Sequence, residues 1–216
     1  MSYPPPLTAT LSGATVRQLA YWRKSSLGKP ALFEPEFSRS PRVLYSYRDI
    51  VALRMFVQLR EELSLQRVRK AVRWLELQFP DTHLSAHRIK TVPGTTTAVW
   101  FTPDGDYVDV VQEPGQMGFK VVLQDLLSEF TTSKGRRVPN LGEPTQGVLI
   151  DPEIRAGFPV IEGTRIPFTL VAGLRDDGLS NAEICELYPT VTPREVAGAV
   201  ELAHWVDESS RHLVAG

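Results

Sequence analysis

The sequence predicts a mainly α chain with small β elements, an α+β fold. Three observations predict it. Cap signatures such as Thr15-Val16-Arg17-Gln18 and Ser180-Asn181-Ala182-Glu183 each open a stretch whose apolar residues recur at helical spacing. A proline-dense segment, with Pro30, Pro35 and Pro41, separates the first helices from the next. Between residues 89 and 112 the pattern changes to the alternation of strands, with Pro103-Asp104-Gly105-Asp106 as a turn.

Pro6 to Leu11 can make one or two helical turns, and Ser12-Gly13-Ala14 breaks them. Thr15 then caps a helix reaching about Lys24, with Val16, Leu19 and Ala20 on its inner face. Arg17, Gln18, Tyr21, Arg23 and Lys24 are left to point elsewhere. A short helix, a glycine-containing turn and a second helix with Arg and Gln near its start form a helix-turn-helix pattern, whose second helix enters the major groove of DNA. Ser25 to Tyr45 reads as a hairpin or wing with Arg39 and Arg42 at its tip, placed for phosphates. Ser46-Tyr47-Arg48-Asp49 caps a further helix with Ile50, Leu53, Phe56, Val57 and Leu63 in register. Ser64 starts another, carrying Leu65, Val68, Val72 and Leu75 and ending at Phe79-Pro80.

Charge agrees with this order. The net charge of −1 is the sum of unlike halves: residues 1–90 hold 15 Lys/Arg against 7 Asp/Glu, and residues 91–216 hold 9 against 18. A basic half is the electrostatic footprint of phosphate contact, although arginines also solvate helix faces. The longest apolar runs fall far short of the roughly 20 residues of a bilayer span, and Met1 to Pro6 has no leader character. With one cysteine, Cys185, read as a buried inert thiol beside Ile184 and Leu187, the chain is expected to be cytoplasmic.

The run Thr15 to Trp22, the wing closed by Arg42-Val43-Leu44-Tyr45 and the helix pair through Leu63-Ser64-Leu65 resemble the MerR-type winged helix-turn-helix over about residues 7–78. The resemblance implies DNA-backbone contacts at Arg17, Tyr21 and Arg42, with Thr15, Gln18 and Trp22 near the groove. For Trp22 the alternative is an aromatic that plugs the helix against the wing. The chain departs from that family where Phe79-Pro80-Asp81 interrupts what is there a long dimerising helix.

In the middle, Thr96 to Thr102 and Tyr107 to Val111 read as strands, and Phe119 to Phe130 returns to helix period through Val122, Leu123, Leu126 and Phe130. His83 and His87 stand at a spacing that could seat a metal on a helix. No third His or Cys lies near, so no metal site is assigned. Thr131 to Gly147 has linker composition, with Arg136 and Arg137 either solvated or touching nucleic acid.

Residues 148–207 form a last module: a strand at Val148-Leu149-Ile150, a hairpin reversing at Gly163, and helices near Phe168–Leu174, after Ser180, and after Thr192-Pro193. Helix, short turn and helix again suggest a second helix-turn-helix-like topology. Asp151-Pro152, Gly157, Pro159-Val160-Ile161, Gly163-Thr164-Arg165-Ile166, Gly178-Leu179-Ser180 and Tyr188-Pro189 resemble a family known as domain of unknown function four hundred and thirty-three. That family is commonly the antitoxin half of toxin–antitoxin operons, so the resemblance implies a VapB-type antitoxin with a PIN-like ribonuclease partner. Gly163, Thr164 and Arg165 are the candidate partner contacts, with the alternative that Arg165 only pairs Asp151 or Glu153.

The expected organisation is a winged helix-turn-helix over residues 1–80, an α+β connector and linker over 81–147, the antitoxin-associated domain over 148–207 and a short tail over 208–216. With no phosphate loop, nucleophile elbow or metal-ligand set, the chain is expected to be no enzyme and to need no cofactor. The expected function is a dimeric repressor that binds its own operator as double-stranded DNA and neutralises a PIN-like ribonuclease. The competing expectation is a stand-alone MerR-like regulator responding to a small ligand. A purely structural adaptor would leave the basic half unexplained.

Overall fold

A helix without a polar face has to be inside. In the computed structural model, which describes residues 2–25, 30–37, 42–91, 98–101, 107–111, 117–118 and 126–211, α1 (Pro5–Ser12) buries every residue from Leu7 to Ser12. Its threonines are tolerated there because Thr8 and Thr10 each donate a hydroxyl to the carbonyl four residues back, at 3.1 Å. α1 ends on Gly13 at φ 82, a left-handed cap. The chain then turns into α2 (Val16–Trp22). α3 (Tyr47–Glu62) lies against α1, and α4 (Leu65–Gln78) buries the single stripe Val68, Ala71, Val72 and Leu75.

Four short strands follow as an antiparallel meander: β1 (Arg88–Thr91), β2 (Ala98–Phe101), β3 (Tyr107–Asp109) and β4 (Met117–Gly118). Ile89 opposes Trp100 and lies buried where β1 meets α3. β5 (Phe130–Thr131) pairs with β6 (Arg137–Val138), and β7 (Val148–Leu149) with β8 (Val160–Ile161). α5 (Phe168–Asp176), α6 (Asn181–Leu187) and α7 (Pro193–Arg211) complete the chain, with α7 packed on both α5 and α1. The fold is thus a mixed one of seven α-helices and small antiparallel sheets among the described residues.

α1 touches α2, α3 and α7, so one core runs from Tyr3 through Phe56 and Leu75 to Val196 and Leu202. Polar contacts cross the same seam. Tyr3 Oη donates to the Gly157 carbonyl, and Thr10 Oγ1 lies 2.9 Å from Ser209 Oγ.

Four expectations are corrected, and a fifth, the wing, is described only in part. Residues 26–29 and 38–41 of the expected wing lie outside the described residues, and Arg42 is a β-bridge residue. Leu32 and Phe33 are buried and donate their N–H groups to the Trp22 carbonyl at 2.8 and 3.2 Å, and Tyr45 bridges to Tyr3. The segment is therefore held by α2 and the N-terminus. Leu126 and Phe130 do not share a helix: Leu126 sits in a turn and Phe130 in β5, because Arg54 captures the carbonyls of residues 126 to 128. The remainder of that expected helix, 119–125, lies outside the described residues, as does the turn Pro103–Asp106.

Thr131 to Gly147 is no solvated linker. Val138, Pro139, Leu141 and Thr145 are buried, and Thr145 Oγ1 donates to the Gly198 carbonyl at 2.8 Å. α7 runs on to Arg211, so the start of the expected tail is helical. Cys185 is half-buried rather than buried.

A candidate nucleic-acid interface

Thr15 opens α2 with a reciprocal cap. Its Oγ1 accepts the Gln18 N–H at 3.0 Å, and Gln18 Oε1 accepts the Thr15 N–H at 2.7 Å. Leu19 and Trp22, three apart, carry the helix into the core. The opposite side is exposed: Arg17 and Tyr21, the latter at 56%, stand at i and i+4, and exposed Arg23 and Lys24 follow just past the end of the helix. An outward patch of cations and a phenol is what the capping and burial of so short a helix leave over.

Two neighbours set the far end of α2. The segment 30–33 is tied to it through the Trp22 carbonyl, and Arg69 of α4 donates to the Pro30 carbonyl at 3.2 Å. Burial pushes the Tyr45 phenol up to about 12, and Arg23 acts against that shift. Tyr45 therefore lies within electrostatic reach of Arg23. Arg42, three residues before it, is exposed. Arg39 lies outside the described residues.

Two of the expected contacts change role. Trp22 is 2% exposed and meets Phe56 edge-on, ring centroids 6.1 Å apart. It plugs the core and has no surface to offer a groove. Gln18 is held by the cap. A bidentate contact to adenine needs both its carbonyl and its amide, and the carbonyl is already bonded to Thr15.

The histidines part company. His83 and His87 flank a 3-10 turn, Leu84–Ala86, instead of sharing a helix face. His83 Nδ1 accepts the Ser85 N–H at 3.1 Å, which places the proton on Nε2, 3.2 Å from Asp49 Oδ1. Asp49 Oδ2 accepts the N–H groups of Ser46 and Glu36 at 2.8 and 3.1 Å. Glu36, Asp49 and His83 bring ligand-type atoms within 4.8 Å of one another. A metal would have to bind at the nitrogen that carries the proton, so the hydrogen-bond chain accounts for the cluster.

His87 is buried against Phe79 and Trp100, ring centroids 5.2 and 5.9 Å away, and its Nε2 has no hydrogen-bond partner among the described residues. Burial first, and His83 second, lower its pKa from 6.5. The unfolded chain takes up this proton near pH 6.5 while the folded imidazole stays neutral to a lower pH. Its contribution to stability is thus full above that value and is lost as pH falls below it. His87→Phe is expected to flatten the fall in urea midpoint between pH 7.5 and 5. A variant whose pH dependence matched the parent's would refute this.

In the C-terminal segment the turn 162–165 is exposed apart from half-buried Thr164, whose Oγ1 donates to the Ile161 carbonyl at 2.9 Å and accepts the Ile166 N–H at 3.0 Å. Arg165 makes no ion pair with Asp151 or Glu153; Asp151 Oδ1 instead accepts the Glu153 N–H at 2.8 Å. Leu170, on the first turn of α5, is 42% exposed. No helix among the described residues is long and apolar enough to cross a membrane.

Comparison with known proteins adds three findings. The chain is similar to the mycobacterial proteins named uncharacterized HTH-type transcriptional regulator Mb1861 of Mycobacterium bovis and MT1879 and Rv1830 of Mycobacterium tuberculosis, 30% identical over 132 residues, 61% of this chain. The match takes in 56% of each relative, so the chain spans about half the length of the curated relatives it matches. The crystal structure of Rv2018 from Mycobacterium tuberculosis aligns over 92% of this chain and 96% of its own at 19% identity, with a TM-score of 0.49. Residues 148–203 match the family model described as "Protein of unknown function (DUF433)", over the segment whose Gly-Thr-Arg-Ile turn resembled it in sequence.

Proposed function

We propose that this chain is a transcription regulator that lays α2 in the major groove of double-stranded DNA and acts by binding, not by catalysis. The observation that carries this is the exposed pair Arg17 and Tyr21 on the outer face of a helix otherwise turned to the core, with Arg23 and Lys24 just past its end, within a half holding 15 basic and 7 acidic residues. Arg17 and Lys24 meet phosphates or base edges, and Arg23, Arg39 and Arg42 are further backbone contacts. Thr15 orients the helix through its cap, and Gln18 is left a single donor. The names of the mycobacterial relatives agree with this reading.

The finer reading is that of a cytoplasmic antitoxin. A dimer with a MerR-like winged arm represses its own operon, and the turn Gly163-Thr164-Arg165 with Leu170 receives a PIN-like ribonuclease. Its support is that this turn is exposed on the acidic half, which complements a basic, RNA-cutting partner.

Fluorescence anisotropy of a labelled duplex tests the first reading. Arg17→Ala and Lys24→Ala are each expected to weaken binding to all sequences and to reduce the slope of log K against log salt by about 1. Binding that is absent at low salt in the parent protein would overturn it. The second reading fails if the adjacent-operon ribonuclease forms no complex with the full chain; the regulator alone would then remain.

A further inference from the structure

The stretch with linker composition is a docked hairpin. Thr132 N donates to the Arg136 carbonyl at 2.9 Å and Gly135 N to the Thr132 carbonyl at 2.8 Å, closing a tight tip that carries Lys134. Its base is clamped to the α1–α2 turn. Arg136 Nη1 donates to the Ala14 carbonyl at 2.9 Å, and a Cβ on Gly13 would lie 2.6 Å from Val138 Cγ2. Ser133 N donates to Glu61 at 2.6 Å, tying the tip to the last turn of α3.

Between hairpin and helix lies an open cleft of about 800 Å³, with Thr15 and Gln18 on one wall and Lys134, Arg136 and Arg137 on the other. Lys134 is exposed and makes no hydrogen bond or ion pair among the described residues. Arg137 pairs with Glu129 at 3.0 Å, both side chains more than 60% exposed, and lies over the Trp205 ring. A pair so exposed exchanges readily for another anion. Arg136, bound to the turn, is the positioning residue.

We propose that this hairpin is a second DNA arm, in which Lys134 and Arg137 take a backbone phosphate across the cleft from the first turn of α2. The inference rests on α2 being the groove helix. A helix about 10–12 Å wide fills a major groove about 12 Å wide, so the bordering strand must pass beside it. The Gln18 flank, next to the stripe of Arg17 and Tyr21, is the side on which the hairpin stands. The phosphate-binding arm is therefore assembled from residues more than a hundred positions downstream of the helix it flanks.

Anisotropy titrations of the full chain on a labelled duplex over a salt series test it. Lys134→Glu is expected to weaken binding to every duplex and to lower the salt slope by about 0.9, the loss of one phosphate contact. Arg137→Ala should act alike, and Glu208→Gln, which removes an acid lining the cleft, should tighten binding. Arg194→Glu, at the exposed start of α7, is the control for charge alone and should keep the parental slope. If the parent binds, Arg17→Ala weakens it and Lys134→Glu matches the parent in affinity and slope, the hairpin arm is refuted and the α2 reading stands. If the parent itself ignores duplex at low salt, both fall together.

Discussion

Arg54→Ala is expected to abolish cooperative folding or to lower the urea midpoint by more than any other single truncation in the chain. Arg54 is fully buried in α3. Its five N–H donors find five carbonyls: Leu126 at 2.7 Å, Leu11 at 2.6 Å, Pro139 at 3.0 Å, Leu127 at 3.3 Å and Ser128 at 2.6 Å. The guanidinium also lies 5.1 Å from the Phe130 ring centroid. One side chain thus joins the end of α1, the turn before β5 and the segment just after β6.

Truncation strips those carbonyls of a partner inside the core, at about 1–3 kcal/mol for each that water cannot reach. Even if half of them relax, the loss is on the order of 5 kcal/mol, against a whole-domain stability of about 5–15 kcal/mol. Arg54→Lys keeps the charge but offers three donors from one point, so it should recover only part of the loss. An Arg54→Ala protein with the parental urea midpoint and near-ultraviolet circular dichroism would overturn this account.

Gly198→Ala is expected to destabilise, against the sign that helix propensity assigns to it. Replacing a mid-helix glycine by alanine ordinarily gains about 0.5–1 kcal/mol. At this position of α7 a Cβ would stand 2.0 Å from the Gln146 carbonyl oxygen and 3.0 Å from its carbon. The obstacle is backbone, so no rotamer change removes it. The neighbouring Thr145 Oγ1 donates to the Gly198 carbonyl at 2.8 Å, which holds the 145–147 segment close to the helix. Overpacking of this kind costs about 1–3 kcal/mol and more when backbone must move, so the clash outweighs the propensity gain. At about 2–4 °C per kcal/mol for a chain of this size, a melting temperature several degrees below the parent's is expected. A rise on Gly198→Ala would show that α7 does not approach the 145–147 segment so closely.

The elements read correctly in advance share one property: their signal lies within four residues. The caps Thr15–Gln18, Ser46–Asp49 and Ser180–Glu183 all form as reciprocal boxes. Glu195 likewise accepts the Thr192 N–H at 2.7 Å ahead of Pro193. The elements misread had signals that were not local. Composition made 131–147 a linker because Ser, Lys, Gly and Asn are polar, yet its hydrogen bonds go to Ala14, Glu61 and Gly198. At Gln18 two sound local rules conflict: the same amide suits both a helix cap and a base contact, and the cap occupies its oxygen. For Trp22, helical spacing cannot say whether an aromatic faces a core partner, and here Phe56 supplies one.

By itself the amino-acid order determined where helices begin, that one half is basic, and which face of α2 has no apolar claim on it. Hydrogen-bond geometry and periodicity act over a few residues and leave a mark in the letters. Only the tertiary structure decided that α1 is the shared centre, that a buried arginine organises the joint, and that a distant hairpin stands beside α2. Those outcomes depend on which surfaces meet after the chain has turned back on itself, and a carbonyl more than seventy residues away leaves no mark beside the arginine that binds it.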